Sequence, residues 1–338
     1  MPRTRRGWVV TALVTMVVCG SAGSVSAKQT HLVIIVGLGG EDGYREKFHE
    51  WASEMREAAI HRHGVSENSV YYLAEKPELY PGVARAKSTK ESVMALFAEL
   101  ETVVAPGDQL FVLLIGHGSF NSEESRFNLP GPDVTAVEFD LLLTPFSEQQ
   151  IVFVNASSAS GSFLPELSGS NRVIVTATKS GYERNESLFG GYFVEAYAGE
   201  GADTDKNERI SVVEAFTYAR ARVDAYYNEE NILKTEHAII DDNGDGEGAH
   251  ELAEGEGDVA STVYLYGDAA VAEGFSASEV ESDPELARLV EHKLALEGRV
   301  EALRLQKDSM PEELYLTELE TVLLELAQVS ESIEERRR

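Results

Sequence analysis

A histidine and a group of serines each follow a short apolar run in the middle of the chain. His117 comes just after the run 111–115, and the serine-rich stretch 155–162 comes directly after the run 151–154. A serine hydroxyl becomes a nucleophile only beside a base that takes its proton, and histidine is that base in many hydrolases. These residues therefore indicate either a nucleophile–base pair or a site that keeps only the positions of one.

The two apolar runs are the elements that must position these side chains. Both are rich in Val, Ile and Leu and end in glycine or serine, which is typical of central strands in a parallel sheet covered on both faces. In open α/β sheets the ligand site lies just past the carboxyl ends of such strands. We therefore expect His117 and the serines to face a shared crevice.

Strand and helix patterns alternate along most of the chain. Residues 69–73 and 172–177 are two further predicted strands, and a helix with Tyr44, Phe48 and Trp51 on its apolar face follows the first strand. Ser88-x-x-Glu91 predicts a capping box at a second helix. The alternation predicts a three-layer α/β/α sandwich with a mostly parallel sheet of about six strands, of which 31–36 is the first and 262–265 the closing one.

The pattern changes at residue 282. Two leucine stripes, separated by a break at 307–311, predict an antiparallel α-helical hairpin over 282–338 that follows an α/β domain at 28–275. Two amphipathic helices of this kind pack on the domain or on another copy. Residues 284–335 are therefore the expected surface for a homo-oligomer or a partner.

The first 27 residues resemble a secretory signal. Arginines precede an apolar stretch at 8–18, and Val25-Ser26-Ala27 is a small-residue cleavage site, so residues 1–27 predict an exported protein, periplasmic or secreted. The stretch is short for a bilayer span, and we expect no stable membrane span after its removal. A retained membrane anchor is the alternative.

Cysteine content and charge exclude several classes of function. The chain has one cysteine, Cys19, and it falls within the predicted signal. Disulfides, cysteine-ligated metals and a cysteine nucleophile are thereby excluded from the mature domain. The formal net charge of −29 repels nucleic acid and anionic lipid, so we expect no nucleic-acid partner.

Two acidic loops have the spacing of calcium ligands. In the first, oxygens alternate along the loop, but Glu208 stands where the sharp turn favours glycine; an acidic cap for the following helix is the alternative. The second has glycine at that place, but Leu252 stands where a glutamate ligand belongs. The candidate ligands are Asp203, Asp205, Asn207, the carbonyl of Arg209, and Glu214 in the first loop, and Asp241, Asn243 and Asp245 in the second.

The order strand, His117-Gly118, strand, Ser158-Ala-Ser-Gly-Ser162 resembles the caspase and legumain clan of cysteine peptidases, and the legumain-type (C13) family in particular. The resemblance implies the caspase/legumain fold and places the catalytic dyad and its glycine at His117, Ser158 and Gly118. Ser158 stands where the family has its nucleophilic cysteine, and Gly39 where it has the asparagine that steadies the histidine. It also implies that Arg45 lines the specificity pocket.

Three segments are similar to exported bacterial legumain-like proteins that also lack the cysteine: 127–133, 176–185 and 235–237. In the clan, the loop after the fifth strand forms a wall of the specificity pocket. The resemblance therefore implies that this loop can bind a polar or acidic peptide side chain, with an ordinary solvated loop as the alternative. The candidate substrate-binding residues are Ser157, Thr178, Lys179, Ser180, Glu183 and Arg184.

The functional expectation follows from the change of nucleophile. A thiol is partly ionised near neutral pH, whereas a hydroxyl needs an oriented base, and losing the orienting group of a serine triad costs on the order of 10⁴ in rate. We therefore expect a peptidase homologue that no longer cleaves and that binds a peptide or protein in the former cleft. The rivals are a serine hydrolase using Ser158 and His117, and a calcium-stabilised scaffold acting through the hairpin.

Overall fold

A computed structural model describes residues 29–252, 255–267, 283–305, 307 and 310–337. The predicted signal and the predicted end of the domain at residue 275 lie outside the described residues. The strands are β1 (Thr30–Val36), β2 (Val70–Ala74), β3 (Ala86–Lys87), β4 (Gln109–Ile115), β5 (Gly118–Phe120), β6 (Ser125–Phe127), β7 (Val134–Thr135), β8 (Gln150–Asn155), β9 (Arg172–Thr176) and β10 (Ile239–Asp241).

The helices lie between the strands and after them. They are α1 (Asp42–Glu57), α2 (Lys90–Val103), α3 (Ala136–Leu143), α4 (Leu164–Leu167), α5 (Phe189–Ala198), α6 (Val212–Glu229), α7 (Pro284–Leu305) and α8 (Glu312–Arg337). None of these helices combines the length and the hydropathy that a membrane-spanning segment needs.

Seven strands form the main sheet, in the order β10–β9–β8–β4–β1–β2–β3, and all neighbours are parallel except β10 with β9. Successive side chains of β4 point to opposite faces: Phe111 and Leu113 pack in a core with α1, α5 and α6, while Val112 and Leu114 pack in a core with α2, α3 and α4. The predicted α/β sandwich with a mostly parallel sheet is confirmed. A separate antiparallel sheet, β5–β6–β7, follows His117.

The predicted closing strand at 262–265 is wrong. Residues Ala260–Thr262 form a single 3₁₀ turn, and Tyr264 makes one isolated bridge to Ser211. The sheet closes instead with β10, which pairs antiparallel to β9 through Ile239 and Ile240. A three-residue strand carries too few positions to show a period, so periodicity favoured the longer apolar run.

The two C-terminal helices pack antiparallel. Asp283 before α7 contacts Arg336 near the end of α8, and Arg299 lies 3.6 Å from Glu318. Val290 of α7 and Val322 of α8 share an apolar cluster with Tyr264 of the α/β domain. The hairpin therefore packs on the domain through α7.

The start of α2 offers a first test. The side chain of Thr89, not Ser88, caps the helix by accepting the Ser92 N–H at 3.2 Å, and the buried Ser88 hydroxyl has no hydrogen-bond partner among the described residues. We expect Thr89→Ala to lower the free energy of unfolding by about 1 kcal/mol. Ser88→Ala, the matched control, is expected not to lower it, because it removes an unsatisfied buried hydroxyl. Urea unfolding measures both, and the reverse ranking would restore the capping box that the sequence predicts.

Candidate active site

The parallel pairing of β4 with β8 brings the two motif loops to one edge of the sheet. Leu114 pairs with Asn155, and the next residue, Ala156, donates its N–H to the Leu114 carbonyl at 2.9 Å. Beyond this point the loops remain in contact. A Cβ on Gly118 would lie 2.3 Å from the carbonyl oxygen of Ser158, so only glycine fits there.

The hydroxyl of Ser158 is held by the backbone of Gly118. The Gly118 N–H donates to Ser158 Oγ at 3.3 Å, and Oγ lies 3.5 Å from the Gly118 carbonyl oxygen, to which it donates. Ser158 is only 3% exposed. Among the described residues, no hydrogen bond joins this hydroxyl to the ring of His117. The two side chains thus lie at one edge without forming a nucleophile–base pair.

His117 is enclosed by the aromatic face of α1. Its ring lies edge-on to Tyr44 and Phe48, with centroid separations of 4.9 and 5.2 Å. Burial lowers the pKa of His117 below its ordinary value, while the nearby Glu186 carboxylate and a hydrogen bond to the Gly39 backbone oppose that change. A lowered pKa leaves the ring uncharged at neutral pH.

The backbone of Gly39 lies near His117 and raises its pKa, against the effect of burial. On its other side, the Gly39 N–H donates to Glu75 Oε2 at 3.0 Å. A Cβ at this position would lie 2.8 Å from the backbone nitrogen of Arg45, so an asparagine does not fit here without a backbone shift. The expectation that glycine at position 39 gives His117 no orienting side chain stays a prediction.

Arg45 forms two ion pairs. Its Nε donates to Glu75 Oε2 at 3.2 Å, and its Nη1 contacts Asp42. The side chain of Glu75 is 8% exposed and that of Arg45 is 12% exposed. Arg45 thus supports the Gly39 loop, and its charge is matched by two carboxylates before any ligand arrives.

Three of the candidate substrate-binding residues face inward. Ser157 is fully buried and donates its hydroxyl to Asn155 Oδ1 at 2.6 Å. Thr178 accepts the Gly161 N–H at 2.9 Å and donates to the Ser180 carbonyl at 3.1 Å. The hydroxyl of Ser180, which is half-buried, accepts the Tyr182 N–H at 3.3 Å. These groups hold the serine loop against the loop after β9.

The charged residues of the loop after β9 divide into one paired carboxylate and two exposed cations. Glu183 accepts from His237 Nδ1 at 2.5 Å and from the Lys179 N–H at 3.0 Å. The side chain of Lys179 is 57% exposed, and its Nζ lies 3.9 Å from Glu183. Arg184 is exposed and donates to the Phe120 carbonyl at 2.9 Å. Lys179 and Arg184 are thus the residues that a ligand can reach.

Sequence reasoning missed the carboxylate beside His117. Glu186 accepts from Tyr44 Oη at 3.2 Å and pairs with Lys47 Nζ at 2.5 Å. The helical spacing of Tyr44 indicated only a core role, and no pattern connects residue 186 with α1. Glu186 also raises the pKa of the Tyr44 hydroxyl.

The first acidic loop adopts a tight turn around its carboxylates. Asp203 accepts the N–H groups of Asn207 and Glu208, and Glu208 has a φ of 64°, the left-handed conformation that glycine prefers. Glu214 forms the capping box of α6 with Ser211. The carboxylates of Asp203, Asp205 and Glu214 nevertheless lie within 4.8 Å of one another.

The side chain of Arg209 turns away from this group and pairs with Glu297 of α7. Its carbonyl remains the predicted seventh-position ligand. The observed capping box does not exclude a cation, because one carboxylate can cap a helix and bind a metal with different lone pairs.

The second acidic loop gains a carboxylate from outside the motif. Asp241 accepts the N–H groups of Gly244 and Gly246 at 2.8 and 3.0 Å, and Glu256 accepts from Asn243 Nδ2 at 2.9 Å. Asp241, Asp245 and Glu256 bring oxygens within 4.8 Å of one another. Burial, followed by the effects of Asp242, raises the pKa of Glu256 to about 8. Calcium at either loop stays a prediction.

Comparisons with known proteins show no family for this chain. No family model matches it, and no curated protein matches it. Among solved structures it is similar to protein GSU0716 from Geobacter sulfurreducens, a structural genomics target. That chain is 13% identical, with 63% of this chain and 92% of the other covered and a TM-score of 0.41.

Calcium binding is testable by removing the metal. If the loops bind calcium, a chelator lowers the melting temperature of the parent protein, because a ligand that binds only the folded state stabilises it. Asp205→Ala should reduce this difference for the first loop, and Glu256→Gln for the second. Glu208→Gln and Glu247→Gln, exposed neighbours outside both carboxylate groups, serve as controls and should keep it. If neither chelator nor added calcium changes the melting temperature of the parent protein, the prediction is contradicted.

Proposed function

We propose that the protein is an exported homologue of the legumain-like peptidases that does not cleave, and that it binds a peptide or protein segment at the sheet edge. The binding surface runs from His117 to the loop after β9. The observation that carries this proposal is the position of Ser158 Oγ, which is bonded to the Gly118 backbone and not to the histidine.

The chemistry of the hydroxyl supports a non-cleaving role. A serine needs a base within hydrogen-bond reach that accepts its proton as it attacks. The Ser158 hydroxyl is hydrogen-bonded to the backbone of Gly118, and no hydrogen bond among the described residues joins it to the ring of His117. The Gly118 N–H is occupied by this hydroxyl, so it is not free to stabilise a developing oxyanion. The nucleophile and the backbone donor are therefore engaged with each other and not with a base or a substrate.

The charges at the rim indicate the kind of ligand. Glu183 is hydrogen-bonded to His237, and the two exposed side chains beside it, those of Lys179 and Arg184, are cationic. A locally positive rim on a chain of net charge −29 attracts acidic segments and repels basic ones. The exposed ring of Tyr182, edge-on to Phe120 at 5.2 Å, adds apolar contact area. An acidic peptide with an apolar residue fits this surface.

The tests below can also favour one of two other functions, a hydrolase or a scaffold. A hydrolase requires a ligand to displace the Gly118 contacts so that Ser158 meets His117, and the closeness of the two loops favours this rival over any distant site. A scaffold requires only the calcium loops and the hairpin.

Labelling with a fluorophosphonate probe separates binder from hydrolase. We expect no covalent adduct on the parent protein by intact-mass spectrometry, because the Ser158 hydroxyl lacks a base. Ser162→Ala, which removes a nearby serine hydroxyl from the same loop, is the control for non-specific labelling. An adduct that is lost in both Ser158→Ala and His117→Ala, but kept in the control, would establish the hydrolase.

The rim charges are tested with a fluorescent hexaglutamate peptide. We expect it to bind the parent and to bind the Lys179→Ala/Arg184→Ala variant about fivefold more weakly, since each exposed ion pair contributes about 0.2–1 kcal/mol. Lys87→Ala/Lys307→Ala removes the same charge elsewhere and should bind as the parent does. Equal affinity of parent and rim variant in fluorescence anisotropy, or a preference for hexalysine, contradicts the proposed ligand class.

A further inference from the structure

A polar cavity lies where the hairpin packs on the domain. It has a volume of about 540 Å³. Its lining includes Arg62 in the π-helical turn Ala58–Arg62 that follows α1, the loop 206–209, and Lys293 and Glu297 of α7. We call it the junction cavity. Ligand pockets in proteins have volumes of about 300–1,000 Å³, so this one is large enough for a small molecule.

The charge of the junction cavity is opposite to that of the chain. Four cationic side chains and two carboxylates line it, which leaves two positive charges in excess on a protein of net charge −29. A cleft lined by one sign of charge with low-dielectric walls concentrates ions of the other sign. The lining cations are Arg62, Lys206, Arg209 and Lys293, and the lining carboxylates are Glu208 and Glu297.

The buried part of the cavity holds two cations around one carboxylate. Arg209, whose side chain is 8% exposed, pairs with Glu297 and lies over the ring of Tyr264 at 5.1 Å. Lys293 Nζ lies 3.6 Å from the same glutamate. Glu297 therefore lies between two cationic side chains.

The open part of the cavity adds two cations, Arg62 and Lys206, and one carboxylate, Glu208. Arg62 and Lys206 are exposed, and neither forms an ion pair with the part of the chain that the structure describes. His63 beside Arg62 is kept neutral, since burial lowers its pKa and its Nε2 bonds the Tyr197 carbonyl. It adds no competing charge to the cavity.

We infer that the junction cavity binds a small phosphate monoester, whose dianion meets Arg62, Lys206 and Lys293. Two negative charges match the excess of two positive ones, and guanidinium and ammonium groups are the usual phosphate partners. The cavity is larger than one phosphate group, and Leu265 and Tyr266 among its lining residues offer apolar surface to an organic group. This site is separate from the proposed peptide surface, and it joins the domain to α7.

Calorimetric titration tests the inference, with glycerol 3-phosphate and inorganic phosphate as separate probes, at fixed ionic strength and with chelator present. We expect glycerol 3-phosphate to bind the full chain. We expect it to bind the Arg62→Ala/Lys206→Ala variant at least about tenfold more weakly, because this variant loses two charge-assisted hydrogen bonds to the phosphate. Lys87→Ala/Lys307→Ala is again the control of equal charge. Both substituted residues of the cavity are exposed, so the variant should fold, which circular dichroism checks.

Hydrogen exchange gives a second readout. Because the ligand would contact Lys293 as well as the domain, it should slow amide exchange in 284–305 of the parent but not of the cavity variant. Equal binding of inorganic phosphate would identify the free anion as the ligand of the same site. Affinity for glycerol 3-phosphate that is unchanged in the cavity variant, or no binding of either probe, overturns the inference.

Discussion

The parallel pairing of β4 with β8 is the constraint on which the site depends. Their register sets Leu114 opposite Asn155, and the chains then leave the sheet side by side. A slip of one residue would turn the alternating side chains of a strand to the other core and separate the loops. Because the side chains of both cores are almost fully buried, that slip is costly, and the contact of Gly118 with Ser158 follows from the sheet itself.

Close to this contact, the Gly39 N–H donates to Glu75, and Glu75 pairs with Arg45. Breaking a buried ion pair is strongly destabilising, so these residues are kept for structure whether or not the edge carries out chemistry. The geometry of this edge is therefore held by groups other than Ser158 and His117.

The sequence predicted the layers and the two motif strands, because long apolar runs and helical spacing are local signals. It did not predict β10, which is too short to show a period, or the capping role of Thr89, because the neighbouring Ser88 is an equally favoured type of N-cap residue. Contacts between distant segments were also missed. Glu186 beside His117, Glu75 beside Arg45 and Glu256 beside Asp241 each join elements whose approach only the folded chain defines.

The separation of Ser158 from His117 is tested most directly by following the imidazole of His117 by NMR as a function of pH. The account predicts a pKa below the ordinary value of 6.5, set by burial, and the same pKa in parent and Ser158→Ala proteins, since the two side chains share no hydrogen bond. A pKa that changes when that single hydroxyl is removed would show that serine and histidine act as a pair, and would contradict the account.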